Sequence, residues 1–160
     1  MSNKPYYVKP SNHLMMRGRS KNNPRYPRYY VYHLIDPRTN EVFYIGKGIK
    51  DRAATSSQGG NMAKDARIMD IEDAGHVVAW RIVKYFPDEL SALMYESLSI
   101  HTTPGLTNSA SEKRRAERLV EALRVARRVG NITSREDFLR IGYKIMGSGL
   151  GGLTRPHRFV

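Results

Sequence analysis

Two tyrosines, a lysine, an arginine and one glutamate are spaced along this chain in a way that suits phosphodiester chemistry. Tyr32 falls in Tyr30-Val31-Tyr32-His33-Leu34-Ile35, and Tyr44 in Phe43-Tyr44-Ile45-Gly46-Lys47-Gly48, with Arg52 just beyond. Tyr32 and Tyr44 stand on two runs rich in β-branched and aromatic residues, separated by Asp36-Pro37-Arg38-Thr39-Asn40. That pattern predicts an antiparallel hairpin in which both rings lie on one face. Lys47 and Arg52 are close enough to favour a phenolate, lowering a tyrosine from its ordinary pKa of about 10. They are also suited to neutralise charge growing on a pentacovalent phosphorus. Glu96 is the sharpest single residue. Its helical neighbours at three and four positions are Ala92, Leu93, Ser99 and Ile100, none a cation. A carboxylate there requires a metal ion, or a base from another element such as Arg52 or Lys47. One carboxylate completed by water and phosphate oxygens is a normal Mg²⁺ arrangement, with Mn²⁺ as an alternative ion.

The elements that must position these groups follow from capping and periodicity. Gly46 and Gly48 end the second strand and permit close backbone approach. Asn61 caps a helix reaching to about Ala74, with Met62, Ala66 and Met69 spaced along it and Ile68 and Ile71 adding apolar surface. His76 to Phe86 reads as a third strand, and Asp88 to His101 as the helix that carries Glu96. Ser109 and Glu112 have capping-box spacing and open a helix to Val129. Its stripe of Ala116, Leu119, Val120, Leu123 and Ala126 is apolar, while Arg114, Arg118 and Arg128 face solvent or a partner. A short helix after Thr133 completes the chain, and the glycine-rich run at 147–152 lacks the features of a phosphate-binding loop.

Charge divides the chain in three. Residues 1–29 hold seven Lys/Arg and no acids, 30–109 hold eight against ten, and 110–160 hold twelve against five. A nearly neutral centre between two cationic flanks suits a protein that grips a polyanion outside its reaction centre. Residues 1–28 read as a basic flexible arm, where Arg25 and Arg28 interleave with tyrosine and proline. Residues 29–109 read as the central domain, and 110–160 as a basic helical extension packed upon it. The 160 residues contain no cysteine and no apolar run near the roughly 20 residues that span a bilayer. The expectation is a cytoplasmic, DNA-associated protein with no membrane partner and with its oligomeric state left open.

The ordered set Tyr30-Val31-Tyr32, Tyr44-Ile45-Gly46, Lys47, Arg52, Glu96 and Asn108 resembles the GIY-YIG nuclease superfamily over roughly residues 28–110. It looks most like the branch related to ankyrin- and LEM-domain nucleases. The resemblance implies an α+β fold, a small three-stranded antiparallel sheet flanked by helices in the order β-β-α-β-α, with the C-terminal helices added. It implies cleavage of DNA, double-stranded or branched, with one divalent metal on Glu96. Tyr32 or Tyr44 would prepare the attacking water, Arg52 would stabilise the transition state, and Lys47 would assist. Asn108 matches the late asparagine of the family and is expected among the nucleic-acid contacts, with Arg25, Arg28, Arg114, Arg118 and Arg128. Two positions depart from the pattern. Tyr30 replaces the first glycine, and Ser56 stands where many members carry His or Tyr. The competing reading is a nucleic-acid-binding protein that keeps the fold with weak or absent catalysis.

Overall fold

The aromatic and β-branched run folds as strand β2 (Tyr29–Asp36), and the chain returns as β3 (Glu41–Ile49). The structure is a computed structural model and describes residues 6–7, 29–50, 52–54 and 60–147, with side chains placed for all but 6, 7 and 147. The two strands are antiparallel, with Tyr32 opposite Gly46 and Leu34 opposite Tyr44. Their turn is closed by Asn40, whose amide donates to the Asp36 carbonyl at 2.8 Å from a left-handed φ of 61°. Asparagine tolerates that conformation better than most residues. The Asp36 carboxylate is fully buried between the guanidinium groups of Arg38 and Arg67, at 2.8 and 3.0 Å. Its hydrogen bond from Arg38 holds its carboxyl down at about 2.

Helix α1 (Met62–Asp73) starts where the Asn61 side chain accepts the Lys64 amide. Strand β4 (Ala79–Phe86) then pairs antiparallel with the other side of β2. Helix α2 (Glu89–Thr102) is capped by Asp88, and α3 (Ala110–Arg128) by the reciprocal Ser109–Glu112 box. Helix α4 (Arg135–Gly147) follows. The order β-β-α-β-α with a helical extension is the expected one.

One strand was not foreseen. Tyr6–Tyr7, placed by the sequence within a flexible arm, forms a two-residue strand β1 parallel to Ala79–Trp80. It extends the three-stranded antiparallel sheet to the order β1-β4-β2-β3. The outer edge of β4 offers unpaired backbone groups, and an extended Tyr-Tyr pair can take them. Arg25, Arg28 and Ser56 lie outside the described residues.

Helices cover both faces, so the central β2 is buried almost continuously rather than alternately. On one face Tyr30, Tyr32 and Leu34 meet Ile68 and Ile71 of α1. Met62 and Met69 of that helix point to solvent instead, 89% and 51% exposed. On the other face Val31 and Ile45 meet Ala92, Ile100 and Ala116. A third cluster joins Leu90, Leu93 and Met94 to Leu119, Leu123 and Met146, which fastens the C-terminal helices to α2. Val120, expected in that stripe, is only partly covered.

Candidate active site at the edge of the sheet

β3 is an edge strand, and side chains bond its outer edge where a further strand would lie. In a strand, alternate residues turn their backbone groups to the same edge. The Phe43 carbonyl accepts from the Thr107 amide at 2.7 Å. The Ile45 amide donates to Asn108 Oδ1 at 3.1 Å, and the Ile45 carbonyl accepts from Asn108 Nδ2 at 2.7 Å. Two residues on, the Lys47 amide donates to Glu96 Oε1 at 2.8 Å. Asn108 is therefore not placed as a nucleic-acid contact. It is 4% exposed, and its amide imitates a strand neighbour. Burial of the Ile45 backbone without that partner would leave a donor and an acceptor unmet.

Glu96 is 5% exposed. Its second oxygen meets Arg115 Nη2 at 3.2 Å, so the base that answers it is neither Arg52 nor the Lys47 ammonium. Lys47 Nζ is bonded instead to the Glu89 carboxylate. Arg115 was missed by the sequence reading because it sits in a basic run whose neighbours face solvent. One signal was present: Arg115 stands four residues before Leu119, on the buried side of α3. Burial pushes the Glu96 carboxyl from an ordinary 4.5 up to about 7, and Arg115 and the Lys47 amide only partly offset it. The nearby Glu112 adds to the rise.

A cleft of about 530 Å³ opens beside these groups, with Tyr44, Lys47, Arg52, Glu96, Glu112 and Arg115 on its walls. Among its lining residues, the cations Lys47, Arg52 and Arg115 are matched by the acids Glu89, Glu96 and Glu112. The cleft is formally neutral. Among the described residues Arg52 makes no ion pair, so its guanidinium is the cation left for a visitor.

The two tyrosines divide. Their rings are neighbours, with centroids 6.3 Å apart. Tyr32 is 2% exposed and lies over Gly46, where a Cβ would come within 2.7 Å of its ring and hydroxyl. It is not on the cleft wall. Tyr44 is, with its hydroxyl 3.5 Å from Glu112 Oε1. The expected lowering of a tyrosine pKa is not what Tyr44 experiences. Burial drives its ionisation up, Tyr32, Glu112 and Glu96 add to the rise, and Arg52 alone opposes it. Lys64 of α1 was also missed: it is 8% exposed, and its ammonium sits 5.1 Å from the centre of the Tyr44 ring.

The donors fit a hard cation. Glu96 presents a carboxylate with lone pairs beyond those used by Lys47 and Arg115, and its raised pKa means that its charge is under-compensated. Among the described residues no three His, Cys, Asp or Glu side chains gather as a ready-made cage. A single carboxylate completed by water and substrate oxygens is the form Mg²⁺ accepts. Arg114, Arg118 and Arg128 are exposed along α3, away from the cleft wall. Among the described residues no helix is long and apolar enough to cross a membrane. The chain matches no protein-family model, no curated protein and no solved structure.

Proposed function

We propose that the chain is a metal-dependent DNA endonuclease of the GIY-YIG kind, hydrolysing a phosphodiester in the cleft between β3, α2 and α3. The observation that carries this reading is electrostatic. A formally neutral cleft, with one arginine that makes no ion pair among the described residues, holds a buried carboxylate whose charge is only partly compensated. A phosphodiester can enter such a place only together with added positive charge.

In this reading Glu96 holds a single Mg²⁺, with Mn²⁺ able to replace it. When bound, the ion supplies Lewis-acid neutralisation of charge on the scissile phosphate. Arg52 closes on the non-bridging oxygens with its planar fork, and its charge opposes the dianion that develops. Tyr44 remains protonated in the free protein, so its hydroxyl orients the attacking water rather than waiting as a phenolate. Water oxygen joins phosphorus as one P–O ester bond breaks, and the proton that the water gives up ends on the departing oxygen. Lys47 keeps Glu89 beside the cleft and anchors Glu96 through its backbone amide. The basic flanks, including Arg114, Arg118 and Arg128, hold duplex or branched DNA through its phosphates.

Cleavage of plasmid and branched DNA in Mg²⁺ tests the proposal. Glu96→Ala is expected to abolish cutting and Arg52→Ala to slow it roughly a hundred- to thousandfold, to a small measurable rate, while circular dichroism stays native. Undiminished cutting by Glu96→Ala would remove the metal role. The second reading, a binding module without turnover, is favoured by the Lys47–Glu89 pair and by the raised Tyr44 ionisation. Tight, salt-dependent DNA binding with no cutting in either Mg²⁺ or Mn²⁺ would establish it.

A further inference from the structure

The turn that carries Arg52 is fastened from the neighbouring strand. Tyr30 of β2 is 3% exposed, and its ring crosses Gly48, where a Cβ would come within 2.7 Å of it. The missing side chain at Gly48 lets the ring pass over β3 and reach the backbone beyond. There the Tyr30 hydroxyl donates to the Lys50 carbonyl at 2.8 Å and accepts the Ala53 amide at 3.0 Å. These two contacts bracket Arg52.

Lys50, at one end of the bracket, is strained. Lys50 has a φ of 50°, a left-handed conformation that a residue with a Cβ seldom adopts. Such a conformation persists only where its surroundings over-determine it. Ala53 is buried at 1% exposure, and the Arg52 amide donates to the Ile49 carbonyl at 3.2 Å. The tyrosine hydroxyl ties these points together. Tyr30 is absent from the cleft wall, and its hydroxyl is engaged with the backbone of Lys50 and Ala53.

We infer that Tyr30 is a positioning residue: by pinning Lys50 and Ala53, its hydroxyl fixes where the Arg52 guanidinium stands in the cleft. What Arg52 then does rests on the endonuclease reading; the clamp itself is a property of the chain's own hydrogen bonds.

Tyr30→Phe keeps the ring over Gly48 and deletes only the hydroxyl. It is measured in a double-mutant cycle with Arg52→Ala, following Mg²⁺-dependent cleavage at saturating DNA. With Arg52 present, the variant cuts roughly ten- to a hundredfold more slowly, the scale for a misplaced catalytic group. The DNA concentration at half-saturation stays unchanged. In the Arg52→Ala background, the same change costs less than about twofold, because residues acting as one unit are not additive. Equal losses in both backgrounds overturn the inference. Adding Lys50→Gly, which relieves the left-handed strain, restores most of the rate lost by Tyr30→Phe, and a failure to restore it counts against the clamp. Amide exchange at Ala53 gives a readout free of cleavage. It accelerates at least about tenfold in Tyr30→Phe, and unchanged protection refutes the clamp. If the wild-type protein cuts no DNA, the endonuclease reading falls alone, and the Ala53 exchange still decides the role of Tyr30.

Discussion

Replacing Glu96 by glutamine should make the metal-free protein more stable at alkaline pH, and the size of the gain follows from burial. The carboxyl titrates near 4.5 when exposed and at about 7 in the fold. A group whose pKa rises on folding lends stability that is fully present below its unfolded value. That stability drains away as pH climbs through the folded value. Each pH unit between the two is worth about 1.4 kcal/mol, so charging Glu96 costs the fold about 3 kcal/mol by pH 8. Glutamine keeps the size of the side chain and an oxygen for the Lys47 amide, but it never takes on the charge. In EDTA at pH 8, Glu96→Gln should therefore outlast the wild type by about 3 kcal/mol in urea, or roughly 10 °C in melting temperature. At pH 5 the advantage should shrink to about 1 kcal/mol. Addition of Mg²⁺ at pH 8 should then raise the melting temperature of the wild type and leave the variant unmoved. A wild type that matches or exceeds the variant at pH 8 would mean that Arg115 already compensates the acid. The case for a cation at this carboxylate would then lose its basis.

Gly46→Ala should destabilise the hairpin by about 1–3 kcal/mol and displace Tyr44, read by urea unfolding, because the new methyl meets two tyrosine rings. Asn108→Ala should cost about 2 kcal/mol or more in the same assay by orphaning both backbone groups of Ile45. At a temperature where that variant is folded, its DNA affinity should equal that of the wild type; a selective loss of affinity would restore Asn108 as a contact. Neutralising Arg114, Arg118 and Arg128 together to glutamine should reduce the slope of log affinity against log salt by about 3 for duplex DNA. An unchanged slope would place the phosphate contacts elsewhere.

The hairpin and the helix starts were legible because each has a local cause. Asn61 and the Ser109–Glu112 box cap the helices they were expected to cap. Glu96 was also legible as an anomaly, since nothing on its own helix answers its charge. Its partner was not, because Arg115 reaches it only through the packing of α3 against α2, which spacing along the chain does not express. The same limit applies to Asn108: its amide reads as a polar loop residue until the edge of β3 arrives beside it. The Tyr44 ionisation was misjudged for a related reason. The cations near it in sequence were visible, whereas Glu112 and the burying neighbours come from distant segments. Tyr6–Tyr7 offered only two residues of β-prone chain, too short to declare a strand.

The side chains along β3 have a further effect. Thr107, Asn108 and Glu96 occupy the backbone positions through which another molecule would add a strand. The sheet is thereby closed to intermolecular growth on that side, and the acid proposed to hold the metal is one of its three stoppers. Mutations that strip Glu96 of its side chain would thus expose a docking point for self-association at the same position where they remove the proposed metal ligand.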